Sequence, residues 1–449
     1  MQKYQLRTAM LELLMRIEKD QGYSHLLIDK EIQKNRFVQQ DAALLTEVVY
    51  GTLQRKLTLE YILKQHVDKN KKVEMWVELL LYMSIYQMFY LDKVPDHAII
   101  HEAVEIAKKR GHQGIASFVN GVLRNIQRSG MTDFTNINDP VKKIAIQTSH
   151  PIWLVKRWEK QFGLETTQKM CEANLRNRDS SIRIQPLKIS RDEAMKKLQA
   201  EGFEVEKSIV SNQGIVIKKG NILKSALFKD GYVTIQDQSS MLVGEAVDTK
   251  PNMVVLDTCS APGGKVTHLA EKMRNEGIVK AHDLHKKKIR LVENKAKELS
   301  LSIIDASAAD ARTLGEIYPQ QHFDRILVDA PCSGLGVIRS KPDIKYRKKE
   351  EDIESLAKIQ YDILHRVSSL LKIGGYLVYS TCTVDQSENE MVIKKFLEQH
   401  SNYSGDQMFV DSLPEQVIQH ASSGNYWIQL FPHSIESDGF FIARLTRTK

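Results

Sequence analysis

The sequence predicts a multidomain chain: an all-α amino-terminal bundle, a small α+β module, and an α/β domain on a parallel sheet that closes with a terminal antiparallel strand. Three observations carry this reading. At 449 residues the chain is longer than one core usually serves. Through residue 128, apolar residues recur at spacings of three and four with no strand pattern between them. From residue 251 onward, short β-branched runs alternate with helical stretches, the pattern of parallel strands joined by crossover helices.

The elements follow in order. Helices are expected over "LRTAMLELLMRIEKD", "DAALLTEVVYGTLQRKLTLEYILKQHV", the apolar 75–91 stretch, "HAIIHEAVEIAKKR" and "IASFVNGVLRNIQR". Asp41 and Asp96 stand where a side-chain oxygen can cap a helix start. The polar, turn-rich "SGMTDFTNINDP" reads as a linker, so domains are placed at 1–128, 143–248 and 249–449 with a linker at 129–142. In the middle module, helices are expected at "PIWLVKRWEKQF", "QKMCEANLRN" and "SRDEAMKKLQAEGF", with strands at "SSIRIQPLKI", "GIVIKK" and "GYVTIQD". The last domain offers "VVLDTCS", "IVKAHDL", "LSIIDAS", "FDRILVDAP" and "GGYLVYSTCT" as parallel strands. "YWIQLFP" and "GFFIARLTRT", joined by a short turn-rich link, should pair antiparallel.

Composition narrows the class. The apolar fraction of 42% and charged fraction of 27% are those of a soluble globular protein. The start "MQKYQLRTAM" has no signal-peptide core or cleavage site, so a cytoplasmic protein is expected. The 75–91 stretch is shorter than the roughly 20 residues a membrane span needs, and it carries Glu78, Ser84 and Gln87, which makes it a buried helix and leaves no membrane partner. Four cysteines, Cys171, Cys259, Cys332 and Cys382, form no C-x-x-C pair and match no zinc spacing, so neither a disulfide framework nor a metal site is expected. A net charge of +8 and a pI near 9.0 favour a polyanionic partner.

Ligands of open parallel sheets collect at the carboxyl ends of the strands. The first strand runs into "DTCSAPGGKVTHLAEKM", where Pro262, Gly263 and Gly264 let the backbone approach a ligand. This turn is not a phosphate-binding P-loop, because Cys259 and Val266 occupy two of its required positions, and G-x-G-x-x-G is absent as well. Acidic residues stand at four successive strand ends: Asp257, Asp283, Asp310 and Asp329. Each alone reads as a turn or cap residue. Together they fit an adenosine ligand without phosphates, whose ribose and adenine amino group both seek acceptors.

The stretches "CSAPGGK", "DAPCSG" with "GVIRSKPDIKY", "YSTCT", and the terminal "FPH" and "DGFFIARL" resemble the RNA 5-methylcytosine methyltransferases. The front half, with "TEVVYGTLQRK" and "FVNGVLRNI", is similar to the RNA-binding NusB-type domain. The resemblance covers nearly the whole chain. It implies a Rossmann-like methyltransferase domain that holds S-adenosylmethionine through Cys259, Ser260, Ala261, Pro262, Gly263, Gly264, Lys265, Asp283, Asp310 and Asp329. It implies 16S ribosomal RNA as partner, with naked RNA and an assembling small-subunit particle both open as its form. Two departures stand out: Ser260 replaces a frequent alanine, and Ser340 follows Arg339 where a second basic residue is common.

Cysteine at the end of an apolar strand reads, taken alone, as a packed core thiol. Cytosine C5, however, is a poor nucleophile until a thiolate adds to C6. By resemblance, Cys382 of the "TC" motif attacks and Cys332 of the "PC" motif assists release, whereas DNA cytosine methyltransferases attack from the "PC" position. Strands lie about 4.8 Å apart, so neighbouring strand ends can present both thiols to one base. Asp329 is open between cytosine and cofactor, and Lys265 between orienting a carboxylate and facing solvent. Cys171 reads as packed. The basic stretches at 69–72, "HKKKIR" and "IKYRKKE" read as solvated faces that together make an RNA footprint. The competing classes are a noncatalytic RNA-binding factor, which would have lost a cysteine or the glycine turn, and an amino-group methyltransferase, which would carry Pro-Pro-aromatic in place of "DAPC".

Overall fold

The computed structural model describes residues 5–20 and 24–449, so residues 1–4 and 21–23 of the expected 1–128 domain lie outside the described residues. The chain forms two units, one running through Leu175 and including Ser340–Arg347, the other comprising Arg176–Arg339 and Lys348–Lys449.

The described part of the first unit is helical. Its centre is the helix Met75–Tyr90, in which Val77 and every residue from Leu79 to Gln87 are buried. A helix apolar on all sides must be covered on all sides. Its polar groups are paired internally: Ser84 Oγ donates to Leu80 O at 2.7 Å, and Gln87 takes a hydrogen bond from Arg7 Nε at 2.9 Å. Among the described residues, no helix is long and apolar enough to cross a membrane. The two expected caps are not caps. The helix Gln39–Gln54 starts after Val38 and the helix Asp96–Arg110 after Pro95, so both aspartates sit inside the first turn, where their charge still complements the helix dipole.

The helix Pro140–Gln147, which spans the boundary between the expected linker and module, and the helix Ile152–Ala173, expected in the α+β module, pack in this first unit. Their carbonyls and hydroxyls explain why: Thr58 Oγ1 donates to Ile146 O at 2.6 Å, the Leu57 amide to Ser149 Oγ at 2.8 Å, and Gln54 Nε2 to Asn174 O at 2.6 Å. Gly163, at φ +77°, breaks the second of these helices and accounts for the two helices expected there. Lys345, expected on a solvated face, is fully buried, donates to Gln54 O at 2.8 Å, and is pushed by burial down to about 7.

The second unit holds two sheets. The smaller has the order β2-β3-β1-β4, from β1 (Ser180–Ile184), β2 (Glu204–Lys207), β3 (Gly214–Lys219) and β4 (Val233–Ile235), all antiparallel. Arg183 on β1 is fully buried. Its Nε and Nη2 grip the Glu271 carboxylate at 2.7 and 2.9 Å, Nη1 donates to Gly264 O at 2.7 Å and to Gln236, and Nη2 also reaches Thr267 Oγ1 at 3.0 Å.

The larger sheet contains β5 (Val254–Asp257), β6 (Ile278–Asp283), β7 (Ile304–Ala308), β8 (Phe323–Asp329), β9 (Leu371–Thr381), β10 (Tyr403–Gly405), β11 (Ser422–Ser423), β12 (Trp427–Leu430) and β13 (Phe440–Arg447). Its order is β11-β12-β13-β9-β8-β5-β6-β7, with β10 on β13. Strands β5 to β9 pair parallel, and β12 and β13 pair antiparallel as expected. Alternate residues of each strand feed cores on opposite faces. Leu327 and Val378 join Met241, Leu269 and Val292 on one side, while Ile326, Val328 and Leu377 join Ile363, Leu364 and Phe396 on the other. This sheet is the frame on which the strand-end residues are hung.

Candidate active site

Strands β8 and β9 are parallel neighbours in a register that sets Asp329 beside Ser380. Three residues beyond Asp329 and two beyond Ser380, the chain places Cys332 Sγ and Cys382 Sγ 3.3 Å apart. A disulfide would need about 2.05 Å, so these are two thiols in hydrogen-bond contact. The loops that carry them are tied together: Gly336 N–H donates to Cys382 O at 3.0 Å, and Ser333 Oγ meets Thr383 Oγ1 at 2.8 Å. At Gly336 a side chain is excluded, since its Cβ would lie 2.0 Å from Gly439 O.

The two thiols form one wall of a cleft of about 440 Å³, lined also by Cys259, Ala261, Asp283, Leu284, Asp310, Asp329, Leu356 and Ile359. Asp283 Oδ1 accepts the His285 amide at 3.1 Å. Asp310 caps the short helical turn that follows it and is gripped by Arg312, whose guanidinium holds the carboxyl below the usual aspartate range. Leu284 is 60% exposed in the cleft.

Ser260, Pro262, Gly263, Gly264 and Lys265 are not among the lining residues. Ser260 binds His282 O through both its amide, at 2.7 Å, and its hydroxyl, at 3.0 Å. Gly263 sits at φ +112°, and a Cβ there would come within 3.2 Å of Val292 Cα. The positive φ favours glycine at this turn, and a Cβ would also press on the helix Lys286–Glu298.

Lys265 orients a carboxylate: its Nζ donates to Asp329 Oδ2 at 2.8 Å, and Ser380 Oγ donates to the other oxygen at 2.8 Å. Burial opposes the Lys265 charge, yet the adjacent Asp329 carboxylate raises its pKa above the ordinary lysine value. Asp257 lies beneath, wholly buried; burial first and the Asp329 charge second push its carboxyl up to about 8. It is therefore a neutral acid near pH 7. Burial pushes the Cys259 thiol up to about 12, making it a wall and not a nucleophile. The Cys332 proton is held chiefly by the hydrogen bond to Cys382 and then by burial, both raising its pKa. Either sulfur can be the donor in this contact. Cys171 is packed in the other unit, its thiol raised by burial to about 12.

Sequence reasoning missed the supports of this arrangement: Arg183 behind the glycine turn, and Gln360, Glu388 and Asn389 behind the thiols. For the last two, the signal was present in "SENE", a polar run directly after the second thiol motif.

A family model described as 16S rRNA methyltransferase RsmB/F matches residues 245–446. Others match residues 4–128 (NusB family) and 150–223 (the ferredoxin-like domain of RsmF/B-like methyltransferases). The chain is 48% identical over 447 residues to the probable ribosomal RNA small subunit methyltransferase B of Bacillus subtilis (strain 168), covering 100% of both. It is 32% identical to a protein of the same name from Synechocystis sp., covering 97% of this chain and 98% of that one. Among solved structures, PH0851 matches with a TM-score of 0.79 and 24% identity over 98% of both chains, a likeness of fold. A methyltransferase homolog protein from Pyrococcus horikoshii matches 69% of this chain and 100% of its own, with a TM-score of 0.58 and 27% identity.

Proposed function

Because the chain belongs to the 16S rRNA methyltransferase RsmB/F family, we propose that it transfers the methyl group of S-adenosylmethionine to C5 of a cytosine in 16S ribosomal RNA through a covalent adduct on Cys382. The observation that carries this reading is the pair of thiols 3.3 Å apart on the wall of an acceptor-lined cleft.

The cleft suits the cofactor. Asp283 and Asp310 offer acceptors to ribose hydroxyls and an adenine amino group, and Leu284, Leu356 and Ile359 offer apolar faces to the adenine ring. Cys259 and Ala261 close the side, while Ser260, Pro262, Gly263 and Gly264 keep the turn in shape. Lys265 holds Asp329 in place toward the bound groups. When bound, S-adenosylmethionine supplies an electrophilic methyl group on its sulfonium.

In the proposed reaction, Cys382 gives its proton to solvent, its thiolate sulfur bonds to cytosine C6 and the C5–C6 π pair moves to C5, which becomes nucleophilic. Once C5 carries the methyl group, Cys332, having lost its own proton to solvent, takes the C5 proton as a thiolate, the C5–C6 double bond re-forms and the C6–S bond breaks to leave the Cys382 thiolate. The target base must leave its stack to reach the two sulfurs. The front NusB-like bundle adds RNA contacts, the substrate is 16S ribosomal RNA, naked or in an assembling small-subunit particle, and the site of action is the cytoplasm.

Denaturing electrophoresis with cytosine-containing 16S RNA tests the assignment. Cys332→Ala is expected to accumulate a protein–RNA adduct, and Cys382→Ala to lose both adduct and methyl transfer. The reverse pattern would exchange the two roles, and no adduct in either would remove the covalent mechanism.

A further inference from the structure

Behind the two sulfurs lies a hydrogen-bonded cluster that the reaction scheme does not use. Glu388 is fully buried; its Oε1 accepts the Ser333 amide at 2.8 Å and Gln360 Nε2 at 2.9 Å, and its Oε2 takes the Ser333 hydroxyl. Ser333 is the residue after Cys332. Gln360 Nε2 also donates to Pro331 O at 2.9 Å, the residue before it. The next residue along, Asn389, does the same for the other thiol: its Oδ1 accepts Thr381 Oγ1 at 2.6 Å and its Nδ2 donates to Thr383 O at 3.1 Å, on either side of Cys382. Tyr379 OH donates to Glu388 O at 2.5 Å, anchoring the segment to β9.

We propose that Glu388 is a positioning residue for the release half of the reaction, holding the Cys332 loop through Ser333 and setting the basicity of the Cys332 sulfur with its charge. The inference rests on the functional reading above, in which Cys332 takes the C5 proton. When Cys382 becomes a neutral thioether on C6, the charge on its sulfur that helped hold the Cys332 proton is gone, and Cys332 releases that proton to solvent to act as base. A carboxylate behind the sulfur then strengthens the thiolate as a proton acceptor, which speeds abstraction from C5. The Glu388 charge is among the groups that raise Cys332, after Cys382 and burial. The titratable neighbours are few. Cys382 and Tyr379 face the pair from β9, Asp329 from β8, Lys265 from beneath Asp329, and Asp385 from the same loop as Glu388. Burial raises Glu388 itself, and the Ser333 and Gln360 donors counter that rise.

The test separates charge from shape. In a Cys382→Ser background, which removes the coupled thiol, iodoacetamide labelling of Cys332 is followed by mass spectrometry across a pH series without RNA. Glu388→Gln, nearly the same shape, should move the labelling midpoint down by about one pH unit. Ser333→Ala should move it in the same direction by less, and serves as the deciding variant if circular dichroism finds Glu388→Gln unfolded. With Cys382 restored, Glu388→Gln should lower kcat by about three- to tenfold, leave KM for RNA unchanged and prolong the adduct. An unchanged midpoint in the folded variant overturns the inference. Failure of Cys332→Ala to trap an adduct would instead overturn the role of Cys332 as base, whichever way the midpoint moves.

Discussion

Replacing Arg183 by methionine should be among the most damaging single changes in the second unit, and the reason is countable. All five guanidinium N–H groups are used: three toward Glu271 and Thr267, two toward Gly264 O and Gln236. Without them the Glu271 carboxylate, with no exposed surface, keeps among the described residues only the Gln213 amide at 2.9 Å. Breaking a buried pair by removing one partner costs about 3–5 kcal/mol. For a unit of this size that corresponds to a fall in melting temperature of about 6–20 °C. Burial already raises the Glu271 carboxyl above its ordinary value, against the pull of Arg183. In the variant that rise grows, so the acid form relieves the unpaired charge and the loss should be smaller at pH 5 than at pH 8. Arg183→Met with Glu271→Leu removes both charges and should recover most of the stability, because an apolar pair of similar volume replaces an ion pair at little cost. Melting followed by circular dichroism at the two pH values is the assay. A single-variant loss below about 1 kcal/mol, or a double variant no better than the single, would refute the reasoning.

Asp257→Asn should flatten the pH dependence of stability. The folded-state pKa of Asp257 is raised to about 8 from 3.8, so its contribution is complete below the unfolded value and is lost as pH rises toward 8. The slope removed is at most about 1.4 kcal/mol per pH unit. Urea midpoints of variant and wild type should therefore diverge in favour of the variant as pH rises, and parallel curves would show that the carboxyl is not held neutral. Gly263→Val should weaken S-adenosylmethionine binding in calorimetry by forcing the turn at φ +112° and displacing the helix behind it. Unchanged affinity would mean that the turn does not shape the site.

The strands and both thiols were legible because each is written in local residues: a β-branched run, then a motif at its end. The antiparallel pairing of β12 and β13 followed from the short link between them. Partners distant in sequence left no such trace. Arg183 reads as one charge in an alternating strand, and nothing near it announces Glu271, eighty-eight positions on. Glu388 went unread, because its contact with Ser333 exists only once β8 and β9 are side by side. Lys345 misled for the complementary reason. A lysine among basic neighbours predicts solvent, yet this one ends at a helix carbonyl in a core that the local pattern does not describe.

The assignment of Ser340–Arg347 to the first unit has a consequence for biosynthesis. Lys345 and Tyr346 supply hydrogen bonds to Gln54 O and Ser149, but their segment begins at Ser340, 165 positions after Leu175 (340 minus 175). Domains generally fold in the order they emerge. Here the amino-terminal unit must wait, with the Gln54 carbonyl and the Ser149 hydroxyl lacking these partners, while most of another unit is translated. A nascent chain stopped before Ser340 should therefore carry a first unit more open to protease than the same unit in the finished protein, and its closure should coincide with the emergence of Arg347.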